Sequence, residues 1–207
     1  LQQIDDKRMD IPLIIGGDYN TKKEYNKAIP ELEKGLELWQ QTGWREYFKG
    51  NAAGYVELGK AYHNTGQYDK ETKLYKIAEQ DSPDDPHLIL RQVILALAEK
   101  DSILTNRYIE KYKSLIKGYF SSEKDITNRM AQMYSEIGMI DKAEEYYRKA
   151  ISLDPDNPAL LHGFAYFLRE NNRNPGEFIS IINKGLSLAP NKYEYYNCLD
   201  TKGYGLF

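Results

Sequence analysis

Apolar residues recur along this chain at intervals of three and four, in stretches separated by short polar turns. Such spacing places the apolar side chains on one face of a helix, so each stretch predicts an amphipathic helix. Three pairs of stretches share one internal pattern. The clearest runs through Tyr55, Leu58, Gly59 and Tyr62, then Gly66-Gln67-Tyr68, then Tyr75, Ala78 and Pro83. A second runs through Thr127, Met130, Ala131, Tyr134, Gly138, Ala143, Tyr147, Ala150 and Pro155. A third keeps the same spacing through Pro12, Ile15, Gly16 and Tyr19, then Tyr25, Ala28, Leu32 and Gly35. Each predicts two helices around a tight turn.

The residues between the helices agree with this. Gly66 and Gly138 fall where a helix end favours a left-handed residue. Asp69 and Asp141 fall near the start of the following helix, where a carboxylate suits the dipole and can cap. Pro83 and Pro155 stop that helix. Gly59 and Ala131 let the second helix approach closely, Ala78 and Ala150 do the same between neighbouring pairs, and Tyr62 and Tyr134 fill the space alongside. Pro30 conflicts with the pattern. It lies inside the second helix of the first pair, which therefore starts later than Glu24 or kinks at Pro30.

The pattern resembles the tetratricopeptide repeat family, in a bacterial multi-repeat style, with its period of about 34 residues. Tyr55 and Thr127 stand where that family prefers Trp, and Glu71 where it prefers Ala. The resemblance implies an all-α fold, a right-handed superhelical solenoid of stacked antiparallel helix hairpins forming one domain. Its units fall near residues 9–42, 52–85, 86–123, 124–157 and 158–192, with a truncated sixth at 193–207. The unit at 86–123 is degenerate, with helices expected near 87–99 and 103–116. The fifth carries Leu161, Phe164, Ala165 and Leu168, an Asn-rich turn at 171–175, then Phe178, Ile182 and Gly185. Residues 43–51 are an insertion whose Trp44, Tyr47 and Phe48 call for burial, and the sixth unit shows Leu199-Asp200 and Gly203-Tyr204.

Charge and composition narrow the functions. The net formal charge is −3 with both signs interspersed. That lacks the basic excess of a nucleic-acid binder, and no nucleic-acid partner is expected. The longest apolar run, residues 93–98, falls far short of the roughly 20 residues of a membrane span. A single cysteine, Cys198, excludes an internal disulfide; it fits a reducing compartment and leaves cytoplasm and periplasm both open. The chain starts at Leu1 rather than Met and ends at Phe207 without a helix stop, which reads as a piece or processed form of a longer protein. An uncapped last unit near Phe207 would expose apolar surface and favour self-association through that end.

The resemblance implies a protein-binding scaffold, because first helices in this family line a concave surface. The candidate groove residues are Asn20, Lys60, His63, Asn64, Arg91, Asn128, Gln132, His162, Tyr166 and Arg169, with Leu13, Gly17, Val56, Leu95 and Ser135 in the same phase. This face reads as polar, aromatic and mildly basic. Its amides suit a peptide backbone, and Lys60, Arg91 or Arg169 suit a carboxylate. The expected partner is a peptide segment or helix of another protein. The alternative is a regulatory or sensory arm of a larger bacterial signalling protein. No enzyme, metal or cofactor is expected. His63, His87 and His162 lie in three different units without ligand spacing, and His63 and His162 read as plain surface residues. Gly16-Gly17-Asp18 lacks the Lys-Ser/Thr of a phosphate loop. Asp81, Asp84 and Asp85 form an inter-unit turn with capping chemistry, without the Gly and terminal Glu of a calcium loop.

Overall fold

The computed structural model describes residues 10–41 and 52–188. The described residues are all-α. They form α1 (Asp10–Thr21), α2 (Tyr25–Gln41), α3 (Ala53–Asn64), α4 (Tyr68–Asp81) and α5 (Pro86–Ala98). The remaining helices are α6 (Ser102–Tyr119), α7 (Glu123–Glu136), α8 (Ile140–Leu153), α9 (Pro158–Glu170) and α10 (Pro175–Leu188). The insertion at 43–51, the residues from 189 onward with Cys198, the truncated sixth unit and the end near Phe207 lie outside the described residues.

One backbone device closes the turn inside each of the five described hairpins. The residue after the C-cap takes a positive φ: Lys23, Gly66, Lys100, Gly138 and Asn172. The amide of the next residue then bonds back across the turn. Glu24 reaches Tyr19 O, Gln67 reaches Tyr62 O, Asp101 reaches Ala96 O, Met139 reaches Tyr134 O and Arg173 reaches Leu168 O. A second bond runs from each positive-φ residue to the carbonyl three before it. This is the Schellman arrangement, which satisfies carbonyls that a helix end otherwise leaves unpaired.

The sequence misplaces one local feature, the capping by Asp69 and Asp141, while its alternative of a helix starting later than Glu24 holds. The helix α2 begins at Tyr25 and runs through Pro30. Pro30 is exposed, near the start of α2, and the carbonyl its ring leaves unbonded belongs to exposed Asn26, where water can reach it. Asp69 and Asp141 lie in the first turns of α4 and α8, yet neither helix has a side-chain cap bond. Side-chain caps do occur within other hairpins, where Asp101 accepts from the Leu104 amide at 2.9 Å and Asn174 from that of Glu177 at 3.3 Å, and in the turns between hairpins. Asp85 accepts from the amides of His87 and Leu88 at 2.9 Å each, and Asn157 accepts from those of Ala159 and Leu160.

The chain forms two compact units, Leu1–Leu115 and Ile116–Phe207. In the first, α1 packs on α2 and α3, α3 packs on α4 and α5, and α4 packs on α5. Its core holds Ala28, Leu32, Leu36, Trp39, Tyr55, Leu58, Tyr62, Tyr75 and Ala78. Tyr55, where the family prefers Trp, is fully buried, meets Trp39 edge-on at 5.3 Å and donates to Asp81 Oδ2 at 2.6 Å. In the second unit α7 packs on α8, α8 on α9 and α9 on α10. Its core holds Met130, Ala131, Tyr134, Ala143, Tyr147, Ala150, Phe164, Leu168, Phe178 and Ile182. Ala78 and Ala150 are both fully buried.

Candidate functional site

The first unit spends several of the expected groove residues on itself. Asn20 is 1% exposed, and its amide donates to the main-chain oxygen of Glu57 at 2.8 Å and to Glu57 Oε2 at 2.7 Å. It ties α1 to α3 and is not a groove residue. Leu95 is buried and Leu13 packs against the core, so neither faces a ligand. For His63 and Arg91 the reason lies at Glu71. It replaces the small residue of the repeat, is fully buried, and draws polar partners inward. His63 Nδ1 lies 3.0 Å from Glu71 Oε2, so His63 is not a plain surface residue. Arg91 Nη2 lies 3.8 Å from Glu71 Oε1, and Arg91 Nε donates to Tyr75 Oη at 3.4 Å. Burial pushes the Tyr75 phenol above its ordinary range. Arg91 is thus an internal counter-charge rather than a hand for a ligand carboxylate. Lys60 and Asn64 remain on the surface side of α3, with the Asn64 amide turned back to Lys60 O at 2.8 Å.

The second unit gathers its residues into a cleft of 770 Å³ between α7 and α9. From α7 come Asn128, Gln132, Ser135 and Glu136, and from α9 come Ala159, His162, Gly163, Tyr166, Phe167 and Glu170, with Asn171 beyond and Tyr147 of α8 among the walls. The spacing of three and four on each helix makes these two facing stripes. Four of the ten expected groove residues therefore share one opening: Asn128, Gln132, His162 and Tyr166.

The cleft wall has defined chemistry. Asn128 Oδ1 is buried and has no hydrogen-bond partner in the protein. An unpaired buried acceptor of that kind costs about 1–3 kcal/mol, which a donor entering the cleft recovers. Gln132 Oε1 accepts from Arg129 Nη1 at 3.0 Å, leaving the amide nitrogen as a donor. Tyr166 is 48% exposed. The Arg169 guanidinium stacks 4.6 Å from its ring centre and bonds Glu170 at 2.8 Å. Arg169 is therefore engaged by its neighbours and does not line the cleft. The lining carries Glu136 and Glu170 and no Lys or Arg, so the expected basic character is absent there. Ser135 shares the opening as its phase predicts, while Glu136 and Glu170 were missed although each follows a recognised groove residue, Gln132 or Tyr166, by four.

Among the described residues no group of three or more His, Cys, Asp or Glu side chains is placed to hold a metal ion. No described helix is long and apolar enough to cross a membrane.

Residues 125–157 match the tetratricopeptide repeat family model, and they cover α7 from Asp125 onward, its turn and α8. Over 96% of its length the chain also superposes on a solved structure, TTC0263, a thermophilic TPR protein of Thermus thermophilus. The TM-score is 0.50, the identity 18%, and 97% of that chain is covered. Residues 125–157 are thus a tetratricopeptide repeat, and the chain has the all-α fold of tetratricopeptide-repeat proteins. A lower-scoring likeness is to YrrB, a TPR protein with an unusual peptide-binding site, at TM-score 0.44 and 14% identity over 93% of this chain and 90% of that one. Among curated proteins, Protein CTR9 homolog of Arabidopsis thaliana is 26% identical over 120 residues, 55% of this chain. The match spans only 10% of that relative's length, so it concerns the repeats and not the whole protein. In this repeat protein the family's small residue is kept at Ala143 of α8 and replaced by the buried acid Glu71 of α4.

Proposed function

We propose that this repeat protein is a non-enzymatic scaffold that holds an extended segment of a partner protein in the cleft between α7 and α9. The observation that supports this best is the buried, unpaired Asn128 Oδ1 in the wall of that cleft. A peptide main chain offers the missing donor, and the Gln132 amide offers a donor to its carbonyls. Tyr166 adds a half-exposed ring, already stacked by Arg169, on which a side chain can rest at little entropic cost. With Glu136 and Glu170 at the edge and no cation in the lining, the cleft suits the middle of a segment that is neutral or carries Lys or Arg, rather than a terminal carboxylate.

Selection of peptides from a random display library against the whole chain tests this. Peptides that bind should lose roughly tenfold or more in affinity to Asn128→Leu and again to Tyr166→Ala, while the melting temperature of Asn128→Leu does not fall, because its unpaired acceptor is gone. Selected peptides that bind both variants as well as the parent would remove the cleft from the function.

A further inference from the structure

The first unit holds a separate cavity of 230 Å³, walled by α4, α5 and α6. Most of its exposed wall is apolar, with the rings of Tyr75 and Tyr108 and with Leu95 and Leu104, although Lys76, Glu79 and Glu99 also line it. One further wall residue is Gln92, which is 4% exposed and whose amide oxygen accepts no hydrogen bond. A side-chain amide is costly in such a place, because its oxygen has left water and gained nothing. Apolar wall left in contact with water is costly too, and an apolar occupant removes that cost. Both costs are relieved by the same kind of occupant.

The dimensions limit that occupant. A dry apolar cavity of about 150 Å³ takes benzene, and drug-sized ligands need roughly 300 Å³ or more. A cavity of 230 Å³ lies between these and suits one or two fused rings. Polar ties join the surrounding helices on either side. Lys111 Nζ bonds Glu79 Oε1 at 3.1 Å between α6 and α4, and Thr72 Oγ1 reaches Glu99 Oε1 at 3.4 Å between α4 and the end of α5. These ties fix the spacing of the helices around the space, whose size favours a small free molecule over a folded partner's surface. We infer that this cavity is a binding site for a compact aromatic molecule carrying a single N–H or O–H donor, which the amide oxygen of Gln92 accepts. The site lies in the other compact unit from the α7–α9 cleft and does not depend on the peptide reading.

Indole and 1-methylindole are a suitable pair of probes, because they share a ring system and only indole has the donor. Each is titrated into the whole chain and followed by calorimetry and by the methyl resonances of Leu95 and Leu104. Indole is expected to bind saturably at one site, with 1-methylindole at least about tenfold weaker. In Gln92→Leu, a swap of similar volume whose folding is checked by melting, the preference for indole should vanish. Leu104→Trp, which narrows the cavity with a ring of its own, should weaken both ligands. Absence of saturable indole binding, with the cavity holding water alone, would overturn the inference. So would equal affinity of the parent for the two probes, a result that needs no variant.

Discussion

At the scale of single residues, five turns share one backbone geometry but not one residue type. Lys23 and Lys100 adopt φ values of 60° and 59°, where Gly66 and Gly138 adopt 72° and 77°. A side chain in that left-handed region costs about 1–2 kcal/mol, partly offset by the freedom glycine loses on folding. Nothing lies within 4 Å of a Cβ added at Gly138, so the only cost of Gly138→Ala is conformational. Lys100→Gly is therefore expected to raise stability by about 0.5–1 kcal/mol, and Gly138→Ala to lower it by about 1 kcal/mol. Urea melts of both variants test this. A Lys100→Gly protein no more stable than the parent would mean that the turn is relaxed by something other than backbone freedom. The two glycines were readable from the sequence because the residue type states the geometry. The two lysines were not, because their conformation is imposed by the bond that follows, from Glu24 to Tyr19 and from Asp101 to Ala96.

At the scale of elements, the packing of α3 on α4 turns on one contact. A Cβ at Gly59 would lie 2.0 Å from Tyr75 Oη and 2.4 Å from its Cζ. Tyr75 is 2% exposed and its hydroxyl is held by Arg91 Nε at 3.4 Å, so admitting the Cβ means displacing the ring and breaking that bond. Gly59→Ala is expected to cost about 1–3 kcal/mol by overpacking. Gly17→Ala in α1 is the control, because an added Cβ there meets nothing within 4 Å, and it should stabilise the chain by about 0.5–1 kcal/mol. Equal melting temperatures for the two variants would show that α4 stands off α3. This contact also shows what helical phase can and cannot tell. The large–small alternation of Tyr75 with Gly59 is visible in the spacing, and with it the hairpins. The phase also assigned Asn20 and Arg91 to an open face, but each lies at the margin of its helix, where a neighbouring helix decides whether it is covered. Glu57 covers the first, and Glu71, in a position that usually holds Ala, draws in the second. Across α7 and α9 no such buried acid intervenes, and there Asn128, Gln132, His162 and Tyr166 do share one opening. The cavity beside Gln92 left no mark in the sequence, since it depends on the gap between three helices rather than on any one pattern.

At the scale of the whole molecule, stability in a repeat chain is close to a sum of local terms, so its dependence on pH follows from the units that hold charge. In the second unit Arg148 bonds Glu144 at 2.7 Å and Glu177 at 2.6 Å, linking α8 to α10, and Arg173 bonds Glu144 at 2.7 Å and also reaches Asp141. Partial burial alone would raise the Glu144 carboxyl, but the bonds from Arg148 and Arg173 outweigh it and hold it below the ordinary value of 4.5. The Glu177 carboxyl is held down chiefly by its bond from Arg148. Both groups thus bind protons more readily in the unfolded chain than in the folded one. Their contribution is present above about pH 4.5 and is lost as pH falls through the depressed folded values. Arg148 is about half exposed, so solvent screening keeps the whole effect to about 1 kcal/mol or less. Urea melts at pH 7 and pH 3 should show the parent losing more stability between the two than Arg148→Met does, because the variant has less of this contribution to lose. Equal losses would mean that these ion pairs persist only as geometry, and that α8 is held chiefly by its packing on α9, where Tyr147 meets Phe164 and Phe167.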